Sequence, residues 1–84
     1  MEDIAKAVHQ FILAEFLPGE DPSELTERTP LITGGILDSI STLKLVVFLE
    51  DRFHITVEAH EAGVEHLDSI HDISAFVAGK RKAA

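Results

Sequence analysis

Ser39 has the strongest claim to chemistry in this chain. It ends the stretch Gly34-Gly35-Ile36-Leu37-Asp38-Ser39, and an apolar run follows from Leu43 through Val46, Val47 and Leu49 to Phe53. A glycine pair closing a loop and then an Asp is a helix start. The Asp38 carboxylate can accept the free N–H groups of a first turn, which puts Ser39 at or near the first helical position, on the rim of the fold. The N–H groups and dipole of a helix N-terminus favour a nearby anion, so a phosphate ester on the Ser39 oxygen would sit in a receptive field. The plain alternative is that Asp38-Ser39 caps a helix and does nothing more.

Other chemistries fit less well. A nucleophilic Ser39 would need the Gly-x-Ser-x-Gly elbow and an oxyanion hole, and the sequence offers neither. Of the five histidines, His9, His54, His60, His66 and His71, none is set beside Ser39 by the sequence. His60, His66 and His71 lie near Glu61, Glu65 and Asp68, but their spacing puts no two on one helical face as metal ligands. The chain has no Cys, which excludes disulfides and Cys-based zinc sites.

The elements that must position Ser39 are helical. Ile4, Val8, Phe11, Ile12 and Glu15 share helical spacing, which predicts a first helix over about 3–17, stopped by Pro18-Gly19. A proline- and glycine-punctuated connection of about 18–37 follows, with Leu25, Leu31, Ile32, Ile36 and Leu37 to pack it across the core. A connection this long in a small domain is often functional. The second helix is expected over about 39–53, burying Ile40, Leu43, Val46, Val47, Leu49 and Phe53, with Leu45 and Phe48 off the centre of the stripe. His54 to Val57 is extended but too short to make a sheet. One or two helical turns are expected over 58–62, ended by Gly63. A last helix begins near Asp68-Ser69, buries Ile70, Ile73, Phe76 and Val77, and closes at Gly79. The basic tail Lys80-Arg81-Lys82 complements its dipole and then frays.

Composition bounds the rest. Eighty-four residues, 45% of them hydrophobic, make one small domain spanning 1–84. The start of the chain lacks the basic and apolar segments of a signal peptide, and no run reaches the length of a membrane span. With 7 basic and 15 acidic residues, the formal charge of −8 disfavours nucleic acid and points to basic protein surfaces.

The stretch Gly35-Ile36-Leu37-Asp38-Ser39-Ile40, continued by Leu43, Leu45-Val46, Leu49-Glu50 and Phe53, resembles the prosthetic-group site of acyl and peptidyl carrier proteins. The similarity spans roughly residues 3–79 and is specific over 35–53. It implies an all-α, acyl-carrier-protein-like four-helix bundle, with three main helices, one short third helix and a long loop between the first two. It also implies that Ser39 carries 4′-phosphopantetheine, delivered from coenzyme A by a phosphopantetheinyl transferase with Mg²⁺. Asp38 and Ile40 complete the motif, and Ile36, Leu37, Ser41 and Lys44 are expected on the surface that partners read. Such a protein is a monomeric cytoplasmic carrier rather than an enzyme. Acyl or aminoacyl groups ride on it as thioesters, and ligases, acyltransferases or synthases act on them.

One departure bears on the subclass. The family often has acidic residues where this chain has Ser41 and Lys44, and the charges of the second helix sum to zero. That pattern looks more like stand-alone carriers loaded by adenylate-forming ligases, D-alanyl and other aminoacyl carriers among them, than like the carrier of fatty-acid synthesis. The rival of another class is an acidic helical interaction domain with no prosthetic group. Leu-Asp-Ser-Ile occurs twice, at 37–40 and 67–70, so the tetrapeptide alone does not define the site. The preceding glycines single out Ser39, and Ser69 is expected to be structural.

Overall fold

The computed structural model describes residues 3–83, and these form a helical bundle without strands. Its helices are α1 (Ile4–Phe16), α2 (Ser39–Phe53), α3 (Val64–Leu67) and α4 (Ile70–Ala83); short 3₁₀ turns lie at Pro22–Glu24 and Ala59–Glu61. Helix α4 packs against the other three. The expected all-α bundle of three main helices and a short third one is the observed architecture.

The core takes residues from every segment: Val8 and Ile12 of α1, Leu25, Leu31 and Leu37 of the long loop, Leu45, Leu49 and Phe53 of α2, Leu67 of α3, and Ile70, Ile73 and Val77 of α4. The loop is therefore a structural layer. His9 pins it to α1: both partners of its Nε2 are carbonyl oxygens, of Leu25 at 2.8 Å and Pro22 at 3.1 Å, so Nε2 carries the proton and donates. The backbone N–H of His71 holds the loop from the other side, donating to Glu27 O at 3.0 Å. Helix α1 is joined to α2 by the stacked rings of Phe11 and Phe48, with centroids 4.1 Å apart.

Three expectations need correction. The stripe expected to bury Ile40, Leu43 and Val47 is rotated: these are 67%, 62% and 56% exposed, while Leu45 is fully buried. Six of the seven residues from Leu43 to Leu49 are apolar, so the sequence period does not fix which face turns inward. The inward face is the one that meets the buried leucines of the loop. Secondly, Gly63 does not end a helix. The turn before it is a 3₁₀ turn in which the Glu58 N–H donates to Glu61 Oε1 at 2.9 Å, and Gly63 is the extended cap from which α3 begins.

Thirdly, α4 runs through Gly79 to Ala83. A helical glycine costs about 1 kcal/mol relative to alanine, and the residues beyond it make compensating contacts. Lys80 Nζ pairs with Glu61 at 2.7 Å and lies 5.5 Å from the centre of the Phe76 ring, and the Arg81 guanidinium lies over Phe53. Of the tail expected to fray, Lys80 and Arg81 are thus held against the bundle.

Candidate functional site

The site is built from the last turn of the long loop and the first turn of α2. Gly35 has φ +85°, in the left-handed region that favours glycine. Gly34 has no such need, but a Cβ there would run into the carbonyl oxygen of Pro30. The close approach at Gly34 is thus made by the chain's own backbone. The turn is closed by the Leu37 N–H donating to Leu31 O at 2.9 Å and the Gly35 N–H donating to Ile32 O at 3.1 Å.

Asp38 then caps α2 as its sequence predicts. Its Oδ1 accepts the Ser41 N–H at 2.7 Å, and its carbonyl accepts the Thr42 N–H at 2.9 Å and the Thr42 hydroxyl at 2.7 Å. The hydrogen bonds from Ser41 hold the Asp38 carboxyl below the usual carboxylate range. Ser39 is the first residue of the helix and is exposed. Its hydroxyl makes no hydrogen bond among the described residues, and no histidine hydrogen-bonds to it. An exposed, uncommitted hydroxyl on a helix N-terminus suits a phosphodiester, which needs access for a second protein and a field favourable to an anion. The residues present fit a phosphopantetheine group on this count.

The other expected site residues fall as follows. Ile40 and Lys44 are exposed, Ser41 and Ile36 are half-buried, and all lie on or beside the first turns of α2. Leu37 does not belong to the surface: it is 3% exposed, because the Leu31–Leu37 hydrogen bond folds it into the core. In its place the sequence reading missed Leu43 and Val47. With Ile40, Phe48 and Phe11 they line an open apolar groove of about 670 Å³ between α1 and α2, rimmed by Glu15, Lys44, Asp51 and Arg52. The exposed spacing 40, 43, 47 was a usable signal once the loop leucines had been assigned to the core.

The second Leu-Asp-Ser-Ile copy is used in a different register. Here Ser69 is the cap of α4, its Oγ accepting the Asp72 N–H at 3.1 Å, and it is half-buried. Asp68 turns away to the long loop. No group of three or more acidic, histidine or cysteine side chains able to hold a metal occurs among the described residues. No helix among them is long and apolar enough to cross a membrane.

A small helical bundle with a long ordered loop that delivers one exposed serine to a helix N-terminus defines a class, that of carrier proteins. The comparisons agree. The chain is 37% identical over 71 residues to the D-alanyl carrier protein of Streptococcus suis (strain 98HAH33), covering 84% of this chain and 86% of that protein. It is 35% identical over 81 residues to the D-alanyl carrier protein of Streptococcus sanguinis (strain SK36), covering 96% and 99%. It is 34% identical over 62 residues to the acyl carrier protein of Exiguobacterium sp. (strain ATCC BAA-1283 / AT1b), covering 74% and 76%. The solved structure of apo KstB-PCP superposes with a TM-score of 0.74 at 39% identity, covering 89% of this chain and 82% of that one. No protein-family model matches. The chain belongs to the acyl and peptidyl carrier protein family.

Proposed function

We propose that this protein is a specialised stand-alone carrier that tethers an aminoacyl or acyl group on a 4′-phosphopantetheine arm at Ser39. The observation that carries this reading is the exposed Ser39 hydroxyl at the first position of α2, under the Asp38 cap. The arm, when present, supplies the thiol that holds the group as a thioester. The chain's own residues supply the rest. Asp38 holds the first turn so that Ser39 Oγ faces outward, and the amides of that turn favour the phosphate. As the phosphodiester forms, the Ser39 hydroxyl gives up its proton and the pyrophosphate bond of coenzyme A breaks, adenosine 3′,5′-bisphosphate leaving, in a step catalysed by a separate phosphopantetheinyl transferase. On this reading the protein is a substrate of its partners, not an enzyme, and works in the cytoplasm alongside coenzyme A and the loading enzymes.

An adenylate-forming ligase is the proposed loading enzyme, and an aminoacyl group the proposed cargo. Two features support this. Relatives matched along nearly their whole length are D-alanyl carriers, and the charges of α2, Lys44, Glu50, Asp51 and Arg52, cancel. Partners are proposed to dock on the apolar, neutral face that starts at Ile40 and continues through Leu43 and Val47, with Lys44 and Ser41 at its edge and Ile36 beside it. The relative named acyl carrier protein keeps a second reading in view, a carrier for fatty-acid synthesis. To separate them, the phosphopantetheinylated protein is offered with ATP to a D-alanine ligase and to a fatty-acyl ligase. Loading with D-alanine and not with the fatty acid supports the first reading; the reverse result refutes it.

A further inference from the structure

Asp68 is the residue the fold frees by shifting the register of the second Leu-Asp-Ser-Ile. In the first copy Asp38 caps the helix and the serine is uncommitted. In the second, Ser69 takes over the cap, so Asp68 is not needed to start α4. Its polar atoms go to three consecutive residues of the long loop. The Leu31 N–H donates to the Asp68 carbonyl at 2.6 Å. The N–H groups of Ile32 and Thr33 donate to Oδ1 at 2.8 and 2.9 Å. The Thr33 hydroxyl donates to Oδ2 at 3.0 Å. These bonds hold the Asp68 carboxyl below the usual carboxylate range, the Thr33 N–H contributing most.

The clamp lies one link from the site. Leu31, whose N–H it takes, accepts the Leu37 N–H on its own carbonyl, and Leu31 and Leu37 are both buried. Only Asp38 separates Leu37 from Ser39. Residues 31–37 therefore form a closed turn, anchored at its start by a carboxylate from the α3–α4 junction and delivering Ser39 at its end. We propose that Asp68 is a positioning residue for the modification of Ser39, clamping Leu31 to Thr33 so that the turn before α2 has one geometry when the transferase docks. The proposal rests on Ser39 being the attachment site. A clamp of this kind acts by population. A partner that needs one loop geometry binds with an apparent affinity reduced by the fraction of molecules that have it, and a preorganised loop spares the ordering cost on docking.

The signature is a rise in KM at unchanged kcat. The test uses the full chain with coenzyme A, Mg²⁺ and a phosphopantetheinyl transferase, comparing wild type with Asp68→Ala, Asp68→Asn, Thr33→Val and Ser69→Ala, each with its amide exchange. Asp68→Ala is expected to raise KM for the carrier about tenfold with kcat within about twofold, as for a competent fraction near one in ten. Asp68→Asn keeps an oxygen for both N–H groups and should stay within about twofold of wild type in KM. Exchange at Ile32 and Thr33 should speed up in Asp68→Ala while Leu45 and Leu49 stay protected. If Asp68→Ala does not fold, Thr33→Val carries the test, with a smaller rise in KM that Ser69→Ala does not show. An unchanged KM in folded Asp68→Ala, or in Thr33→Val if that variant stands in, overturns the clamp. So does a loss in which kcat and core protection fall together and Asn gives no rescue. A wild type that the transferase leaves unmodified overturns the Ser39 assignment itself, and the clamp's role with it.

Discussion

The rotation of α2 makes a sharp prediction, because two leucines two residues apart are given opposite fates. Leu45 is fully buried, whereas Leu43 is 62% exposed beside the apolar groove. Leu45→Ala removes buried methyl and methylene groups and leaves a cavity in a close-packed core, at a cost of about 2.7–5 kcal/mol. Leu43→Ala removes groups already in contact with water and should stay within about 0.5 kcal/mol of wild type. At about 0.05–0.15 kcal/mol per residue a chain of this size has about 4–13 kcal/mol of stability, so the Leu45 change consumes a large share and the Leu43 change almost none. Urea unfolding followed by circular dichroism reads the difference as a shift in midpoint at constant slope. Should Leu45→Ala fail to fold, Leu45→Val gives the same ordering with a smaller loss. Function should run the other way: Leu43→Ala, folded and stable, should load poorly if Leu43 lies on the docking face. Equal stability losses at the two positions, or a larger one at Leu43, would refute the observed phase of α2.

The remaining predictions are briefer. Gly35→Ala forces a side chain into φ +85° and should cost about 1 kcal/mol, whereas His54→Gly, at φ 56° on the end of α2, should gain about 0.5 kcal/mol; urea midpoints check both. Hydrogen bonds hold the Asp38 and Asp68 carboxyls below their ordinary range, so the folded protein binds fewer protons than the unfolded chain in acid. Their contribution is complete above the unfolded carboxyl pKa of about 3.9 and is lost as pH falls through the folded values. Thermal unfolding should show a lower Tm as pH drops below about 4, with a shallower fall in Asp68→Asn. Lys44→Glu should change loading by the cognate ligase and raise recognition by enzymes that prefer an acidic α2. Indifference of both enzyme types to Lys44→Glu would remove Lys44 from the docking surface.

What was legible in the sequence follows its physics. Asp38 was readable as a cap because a carboxylate before an apolar run has one obvious use, and the fold gives it that use through the Ser41 N–H. Helix α1 was readable because Ile4, Val8, Phe11 and Ile12 recur at helical spacing, and Pro18-Gly19 marks its end. The phase of α2 was not, since its run from Leu43 to Leu49 is apolar on almost every side and takes its orientation from its neighbours. Here those include the long loop, whose Leu25, Leu31 and Leu37 are buried in the same core. Gly63 and Gly79 misled for a related reason. Gly63 is an extended cap that begins α3, and Gly79 is carried inside α4 because Lys80 and Arg81 find partners beyond it. The role of Asp68 was hidden by identity: two equal tetrapeptides gave no hint that one would be read a residue out of step with the other. His9 carries no local signal either, because its carbonyl partners belong to a loop that only the fold brings near.

The central claim is that Ser39, and not Ser69, takes the prosthetic group. Intact-mass measurement after incubation with coenzyme A, Mg²⁺ and a phosphopantetheinyl transferase tests it most directly, using wild type, Ser39→Ala and Ser69→Ala. The uncommitted, exposed Ser39 hydroxyl and the half-buried, capping Ser69 predict a single addition in wild type and in Ser69→Ala, and none in Ser39→Ala. An addition that survives Ser39→Ala and disappears in Ser69→Ala would contradict the account, as would a wild type left unmodified by several competent transferases.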